Sequence, residues 1–305
     1  MSGATMPATK RCGYVAIVGE PNAGKSTLLN QLVGAKVAIV SPKVQTTRTR
    51  ITAIAMEGDA QIVFLDTPGI FQPKRRLERA MVQAAWSGAD DADRILLLAD
   101  AERGLDAETR RIMASLAGSG RRASLVINKI DLVRRDRLLG LAAEFNALFP
   151  FEETFMISAL TGDGVAEMRR RIAAGLPEGP WLYPPDQLAD MPERMLAAEI
   201  TREKLFHRLH DELPYASTVE TEGWREQDDG SVRIEQVIYV AKESQKPIVL
   251  GRGGRTVKAI GQDSRRELET ILGRRVHLFL FVKVRERWLD DPERYREMGL
   301  DFPKS

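Results

Sequence analysis

The sequence predicts two domains of different fold class, a doubly wound α/β domain followed by a smaller α+β domain. Three observations carry this prediction. Short apolar runs alternate with helical segments up to Gly175, a stretch rich in proline and glycine follows, and beyond it the order of the elements changes. With 305 residues the chain is long enough for two ordinary domains.

The first domain is predicted from six apolar runs of β-forming residues. They are Tyr14–Val18, Ile51–Ala55, Gln61–Leu65, Ile95–Ala99, Ser124–Ile127 and Thr154–Ile157. Helical periodicity fills most of the gaps, over Gly24–Val33, Leu77–Trp86, Asp106–Leu116, Arg137–Leu148 and Val165–Ala174. Continuous apolar runs separated by helices are typical of a mostly parallel sheet covered on both faces. Such a sheet binds its ligand at the carboxyl ends of the strands.

A break in this pattern marks the domain boundary. Residues 175–185 contain four prolines and two glycines, which fit neither a helix nor a central strand. The elements predicted after the break are a helix over Pro192–His210, strands over Ala216–Gly223 and Val232–Ala241, a helix ending near Leu272 and a strand over Val276–Val284. We therefore expect a flexible leader over residues 1–11, the α/β domain over 12–176, a linker over 177–190 and the α+β domain over 191–305.

Composition and charge narrow the classes of function. Hydrophobic and charged contents of 43% and 29% are those of a soluble globular protein, and no apolar stretch is long enough to cross a bilayer. Cys12 is the only cysteine, which excludes an internal disulfide and fits a reducing cytoplasm. Residues 242–287 hold twelve Lys or Arg and five Asp or Glu, although the whole chain has a net charge of +2. This basic block favours a polyanion partner, and a mixed solvated surface is the alternative.

The first apolar run leads into a loop that predicts a phosphate site. Gly19-Glu-Pro-Asn-Ala-Gly24-Lys25-Ser26-Thr27 matches G-x-x-x-x-G-K-[ST], between a predicted strand and a predicted helix. Glycines let backbone N–H groups approach a phosphate, and the helix start adds its positive end. We expect Lys25 to reach the β- and γ-phosphates and the Ser26 hydroxyl to ligate Mg²⁺. The loop residues expected at the nucleotide are Gly19, Asn22, Ala23, Gly24, Lys25, Ser26 and Thr27.

A second segment adds the residues expected to sense the γ-phosphate. Asp66-Thr-Pro-Gly69 ends the third apolar run. An aspartate at this place can hold Mg²⁺ through a water, and the Gly69 N–H can bond the γ-phosphate. Loss of that phosphate on hydrolysis would then release the loop.

Two further segments predict that the base is guanine. Asn128-Lys129-Ile-Asp131 follows the fifth run, and a carboxylate at Asp131 can accept two N–H groups that guanine presents and adenine lacks. We expect Asn128 to tie neighbouring loops together and the Lys129 stem to lie along the base. The last segment, after the sixth run, supplies backbone donors for the guanine O6, and it consists of Ser158, Ala159 and Leu160.

The second domain contains a glycine loop that predicts contact with RNA. Gly251-Arg252-Gly253-Gly254 matches G-x-x-G and stands between two helical segments, with two strands before it and one strand after. Such a loop in this setting resembles a KH domain, in which it clamps the backbone of about four unpaired nucleotides. The expected contacts are Gly251, Arg252, Gly253, Gly254, Arg255 and Lys258. Phe279 and Phe281 alternate with leucines, so we expect them to pack in the core and not to stack on bases.

The four nucleotide segments together resemble the translation-factor-related GTPases. The segment Ser41-Pro-Lys-Val-Gln-Thr-Thr-Arg48 is narrower and resembles the Era family, and the likeness extends over nearly the whole chain. It implies an α/β P-loop GTPase domain with a doubly wound mixed sheet, followed by a type II KH domain. It also implies GTP and GDP as ligands, with Mg²⁺ held by Ser26, Asp66 and Thr47. Thr46 is the alternative to Thr47.

The residue after Gly69 predicts slow hydrolysis. Ile70 stands where Ras-like proteins have a glutamine that orients water, and its side chain has no polar atom. In the family that the chain resembles, the asparagine of the phosphate loop, here Asn22, is associated with K⁺. The resemblance thus assigns hydrolysis to Lys25, Asn22, Thr47 and Gly69, with K⁺ in the place of an arginine finger.

The resemblance also implies partners. They are the 3′ region of 16S rRNA and the small ribosomal subunit, bound by a cytoplasmic monomer that matures this subunit and that can contact the inner face of the membrane. One alternative is a constitutive RNA chaperone with structural GTP and negligible turnover, which Ile70 favours. Another is a tRNA-modification or double GTPase, which the single P-loop and the G-x-x-G module disfavour.

Overall fold

A computed structural model describes residues 9–303, apart from residues 44, 49, 74, 287, 289 and 290 and the side chains of residues 294 and 297. The described chain forms two compact units. The first unit contains most of residues 9–190. The second contains the chain from Met191 onward, together with two earlier segments, Ala38–Thr46 and Arg75–Ala80.

The first unit is built on a six-stranded sheet. Its strands are β1 (Arg11–Gly19), β2 (Ile51–Glu57), β3 (Ala60–Asp66), β4 (Arg94–Asp100), β5 (Ser124–Asn128) and β6 (Thr154–Met156). They lie in the order β2-β3-β1-β4-β5-β6, with β2 antiparallel to β3 and the other neighbours parallel. The doubly wound mixed sheet expected from the sequence is therefore confirmed.

Helices cover this sheet and complete its core. They are α1 (Lys25–Val33), α2 (Arg76–Asp90), α3 (Ala107–Gly118), α4 (Arg135–Leu148) and α5 (Val165–Ala174). Leu116 of α3 and Phe145 of α4 belong to the same buried cluster as Leu97 and Leu125 of the sheet. Burial on both faces explains why the parallel strands are apolar throughout. The edge where these strands end carries Gly19, Asp66, Asp100 and Asn128.

The proline-rich stretch predicted as a linker is held against the first sheet. The backbone N–H of Cys12 donates to the Pro177 carbonyl at 3.1 Å. The side-chain oxygen of Gln61 accepts from the N–H groups of Leu182 and Tyr183, at 2.8 and 3.0 Å. Because prolines cannot donate in a ladder, the segment is held by separate hydrogen bonds and isolated β-bridges and not by a continuous strand pairing.

The second unit has the predicted order of elements. They are α6 (Glu193–Arg208), β7 (Ser217–Glu226), β8 (Val232–Val240), α7 (Lys246–Leu250), α8 (Arg255–Leu272), β9 (Val276–Val284) and α9 (Pro292–Glu297). The sheet order is β7-β8-β9, with β7 and β8 antiparallel and β8 and β9 parallel. Residues Leu205 of α6, Ile260 of α8 and Ile238 of β8 share one buried cluster. The tail packs back on this unit, since Trp288 is buried and its indole N–H donates to the Ala216 carbonyl.

The exposed face of β9 contradicts one expectation. Phe279 and Phe281 were expected in the core, yet they are 39% and 49% exposed. Val276 and Val282, at alternate positions of the strand, are buried. The prediction was wrong because an apolar run shows that a strand has two apolar faces, but not whether anything covers the second face.

Among the helices of the described chain, none has the length and apolar character needed to cross a membrane.

Candidate nucleotide pocket and RNA-binding surface

The phosphate loop runs from the end of β1 to the start of α1. Gly24 has a φ of +98°, and a Cβ added there would lie 2.4 Å from Nδ2 of Asn128. Only glycine fits this backbone at this distance. Asn22 also has a positive φ, of 64°, and its side chain is exposed, whereas Ala23 is buried and Thr27 is half-buried in the first turn of α1. All the predicted loop residues therefore lie around one turn.

Lys25 is held by the loop itself. Its Nζ donates to the carbonyls of Gly19 at 3.1 Å and Glu20 at 2.8 Å. The side chain is buried, and this burial lowers the pKa of Lys25 to about 8. A buried ammonium gains most from an anion beside it, because loss of water disfavours its charged form.

Three oxygen-bearing side chains converge where Mg²⁺ was expected. The hydroxyls of Ser26 and Thr47 lie 3.0 Å apart, and they donate to Asp66 Oδ2 at 3.4 and 3.2 Å. Asp66 Oδ1 is buried and has no hydrogen-bond partner among the described residues. Burial raises the pKa of Asp66 to about 6. Hard oxygens of this kind fit Mg²⁺, which is usually bound through one or two carboxylates together with phosphate oxygens and water.

The same geometry separates the two candidate threonines. Thr46 turns its hydroxyl to the carbonyl of Lys43, at 2.6 Å. Only Thr47 of this pair contacts Asp66, so Thr47 is the better candidate for the ion.

Ile70 faces the protein interior. Its side chain is 7% exposed and joins the core beneath the sheet, while its backbone N–H donates to the Gly19 carbonyl at 3.0 Å. Gly69 lies against Pro21, and a Cβ there would meet Pro21 atoms at 3.0 Å. Ile70 therefore packs as a structural residue and has no way to orient water.

Asn128 joins three parts of the pocket. Its buried side chain donates to the Ala23 carbonyl at 2.8 Å and accepts from the Ala159 N–H at 2.9 Å. The role expected for it, tying neighbouring loops together, matches these contacts.

Two of the residues expected around the base help to line a cavity. The cavity has a volume of about 700 Å³ and is bounded in part by Asp131, Ser158 and Thr161. The Asp131 side chain is exposed, so a base bound there would itself have to supply the burial that sharpens discrimination. Lys129 has a φ of 65° and its ammonium lies 2.5 Å from Asp100 Oδ2, while Leu160 is 77% exposed.

The segment Ala38–Thr46, hereafter the switch segment, packs on α6 within the second unit. The Arg202 guanidinium is 2% exposed and donates to the carbonyls of Gln45 and Thr46. Glu203 accepts from the Val40 N–H at 2.7 Å, and Lys43 Nζ donates to the Leu209 carbonyl at 2.7 Å. The residue next to Thr47 is thus fixed by a buried charge.

The glycine loop of the second unit leaves its cations exposed. Gly251 ends α7 with a φ of +72°, and a Cβ there would lie 2.1 Å from Thr256 Oγ1. Gly253 and Gly254 also have positive φ, and α8 begins directly after them. The exposed cations are Arg252, Arg255 and Lys258.

A groove beside this loop contains residues that the sequence reasoning missed. It is a cavity of about 330 Å³ between α8 and β9. Besides Lys258, which the sequence predicted, its lining consists of Val257, Gly261, Gln262, Arg265, Leu278 and Leu280. Helical spacing from Lys258 to Gln262 and Arg265 was the signal that could have found the α8 side.

Comparison with known proteins gives the family. A family described as "50S ribosome-binding GTPase" matches residues 14–129, and a KH domain family matches residues 212–289. GTPase Era of Afipia carboxidovorans is 63% identical over 96% of this chain and 96% of its own. GTPase Era of Rhizobium meliloti is 63% identical over 96% of this chain and 94% of its own.

The chain belongs to the Era family of GTPases.

Solved Era structures agree with the whole fold. Aquifex aeolicus Era bound to GDP and AlF₄⁻ is 41% identical, with a TM-score of 0.90, over 95% of this chain and 99% of its own. An Era structure with MgGDPNP and nucleotides 1506–1542 of 16S ribosomal RNA is also 41% identical, with a TM-score of 0.90, over 95% of this chain and 99% of its own. The fold is a P-loop GTPase domain followed by a KH domain, and this member of the Era family is a GTP-hydrolysing enzyme.

Proposed function

We propose that this Era family member is a GTP-driven switch that binds 16S rRNA and acts in the assembly of the small ribosomal subunit in the cytoplasm. The observation that carries the proposal is the convergence of Ser26, Thr47 and Asp66 on one point, in a chain that also has an exposed G-x-x-G loop. An Era relative solved with both MgGDPNP and 16S rRNA supports the pairing of these two ligands.

The pocket residues would divide the work of holding GTP. Lys25 and the backbone of the loop bind the phosphates, and Asp131 pairs with the guanine edge. Ser26, Thr47 and Asp66 would hold Mg²⁺, which when bound neutralises charge on the β- and γ-phosphate oxygens. Asn128 keeps the phosphate loop and the base loop in register through its contacts to Ala23 and Ala159.

A group other than Ile70 must orient the attacking water, because the Ile70 side chain is apolar and buried. We propose that Asn22 accepts K⁺ beside the phosphates, where a cation can do the work of an arginine finger. In related enzymes a supplied cation raises the rate by roughly 10³–10⁵-fold. Equal hydrolysis in Na⁺ and K⁺, with and without small subunits, would contradict this role.

The switch segment offers a route from the nucleotide to the RNA module. Its last residue, Thr46, is bonded covalently to Thr47 and held by Arg202 of α6. Two residues after Arg202 on α6, Lys204 pairs with Glu267 of α8. Helix α8 starts at the G-x-x-G loop. A change in Thr47 on loss of the γ-phosphate would therefore act on the element that carries the RNA contacts.

A second candidate is a constitutive RNA chaperone in which GTP is structural. The burial of Ile70 favours slow turnover and keeps this candidate open.

Phosphate release measured with and without purified small subunits separates the two candidates. The switch predicts that particles or K⁺ accelerate release, whereas the chaperone predicts a negligible rate in all conditions. Crosslinking in cells, followed by sequencing of the bound RNA, tests the partner. Reads concentrated near the 3′ end of 16S rRNA support the proposal, and reads spread over unrelated RNAs contradict it.

A further inference from the structure

We propose that the exposed face of β9 is a second contact for the same RNA, a surface on which unpaired bases stack beyond the nucleotides held at the G-x-x-G loop. We call it the Phe surface; it consists of Phe279 and Phe281 with the flanking cations Arg233 and Lys283. The inference rests on the proposed function, because it needs an RNA already bound at the glycine loop.

Among the described residues of β7, β8 and β9, Phe279 and Phe281 are the large hydrophobic residues with exposed side chains. Phe279 and Phe281 are 39% and 49% exposed, whereas Val237, the β8 partner of Phe281, is buried. The Arg233 guanidinium lies 4.2 Å from the centre of the Phe279 ring. Proteins that bind single-stranded nucleic acids without sequence preference use aromatic rings, on which bases stack, together with arginine side chains.

The charges around the rings are paired but replaceable. Lys283 lies 3.1 Å from Glu222 and Arg233 lies 2.8 Å from Glu235, while Arg285 makes a longer pair with Glu220 at 3.5 Å. Exposed pairs of this kind contribute little to stability, so an RNA phosphate can replace the carboxylate as the partner of the cation.

The size of the patch favours RNA over a protein partner. A stable protein interface buries about 800 Å² on each side, with an apolar core. Here the apolar patch consists of two rings on one strand, surrounded by charged side chains. It is too small for the core of a protein interface, but it matches two stacked bases.

The Phe surface is continuous with the groove across a single strand. Leu278 and Leu280 line the groove beside α8, and Phe279 and Phe281 are their neighbours on the opposite face of β9. Because β9 is the last strand of its sheet, an RNA strand that leaves the groove can cross this edge and reach the rings. The exposed cations Lys258 and Arg265 stand on the groove side of the crossing.

The test compares short and long RNA on the full-length protein loaded with a non-hydrolysable GTP analogue. The long probe is nucleotides 1506–1542 of 16S rRNA, and the short probe is the tile of about five nucleotides from it that binds the natural protein best. Affinities are measured by fluorescence anisotropy for Phe279→Ala, Phe281→Ala and Phe281→Trp. Leu148→Ala, which removes an exposed apolar side chain of α4, is the matched control.

We expect Phe279→Ala and Phe281→Ala each to lower the affinity for the long RNA by about 10-fold and to leave the affinity for the short RNA unchanged. Phe281→Trp, which keeps an aromatic face, should bind the long RNA like the natural protein. Thermal unfolding of each variant shows whether β9 is intact.

Two results would overturn the inference. Equal loss for the short and long RNAs means that the rings support the fold of the groove. No loss for either RNA means that the face does not touch RNA. Failure of the natural protein to bind either RNA removes the proposed function as well, which distinguishes the two failures.

Discussion

Single side chains set the dimensions of the nucleotide pocket. Asn128 accepts from one loop and donates to another, and its Nδ2 lies where a side chain at Gly24 would stand. A buried amide satisfied on both sides is costly to disturb, because its partners would lose their hydrogen bonds without water to replace them. The two loops that Asn128 joins are therefore held in place by the protein itself, and we propose that the exposed Asp131 becomes buried when a base binds.

Asp131→Asn should shift the preference of the pocket from guanine to xanthine nucleotides. An amide can donate where the carboxylate accepted, so it suits the 2-oxo group of xanthine better than the 2-amino group of guanine. We expect GTP affinity to fall by about 10–100-fold and XTP affinity to rise, measured by competition with a fluorescent nucleotide. Asp136→Asn, an exposed change on α4, is the control. Unchanged preference for GTP in Asp131→Asn would remove Asp131 from the base site.

Glu20 predicts a pH-dependent stability of the nucleotide-free protein. Its side chain is 1% exposed, and burial raises the pKa of Glu20 to about 7, with Asp106 adding to the rise and Arg103, 2.9 Å away, opposing it. Since the folded pKa lies above the ordinary value of 4.5, the stability contribution is present below pH 4.5 and is lost as the pH rises to about 7.

Glu20→Gln should remove this loss. We expect the variant to gain about 1–3 kcal/mol in free energy of unfolding above the folded pKa, and nothing below the unfolded pKa. Urea unfolding across the pH range measures the difference, with Glu108→Gln on α3 as the control. A gain that is the same at acidic and alkaline pH would contradict the assignment.

At the scale of elements, α6 links the switch segment to the RNA module. Arg202 contacts two backbone carbonyls beside Thr47 and pairs with Glu199, so its buried charge is balanced in one arrangement of the segment. Buried charges tolerate few alternatives, and loss of the partner carbonyls would leave the guanidinium unsatisfied. The arrangement should thus favour one nucleotide state over another.

Arg202→Ala should reduce the preference for one nucleotide state. We expect GTP·Mg²⁺ affinity to change by about 10-fold while GDP affinity changes little, because only the γ-phosphate state needs Thr47 in place. Arg208→Ala, at the end of the same helix, removes a more exposed cation paired with Asp263 and is the control. Equal shifts for GTP and GDP would mean that Arg202 only supports the fold.

Elements differ in how well the sequence predicts them. The nucleotide segments follow strands at fixed places, so local spacing was enough to place Gly24, Asp66 and Asn128 at one edge of the sheet. Arg202 acts on carbonyls far away in the chain, which no local pattern encodes. Phe279 and Phe281 were assigned to the core because an apolar period does not tell which faces are covered.

At the scale of the whole molecule, the two units should carry separable activities. Lys25→Ala removes the ammonium expected at the phosphates and should abolish GTP binding, while the full-length variant still binds RNA with the affinity that the natural protein has without GTP. Gly254→Asp puts a carboxylate beside the RNA phosphates, in open space according to the local geometry, and should do the reverse. Titrations of both ligands against both variants check this. Loss of both activities in either folded variant would contradict separate sites.

We propose that the guanine nucleotide state governs RNA binding by this protein. The most direct measurement is the affinity of full-length protein for nucleotides 1506–1542 of 16S rRNA, with a non-hydrolysable GTP analogue and then with GDP. We expect the two affinities to differ by about 5–150-fold and Arg202→Ala to bring them together. Equal affinities in the natural protein would contradict this coupling and leave the constitutive RNA chaperone as the better description.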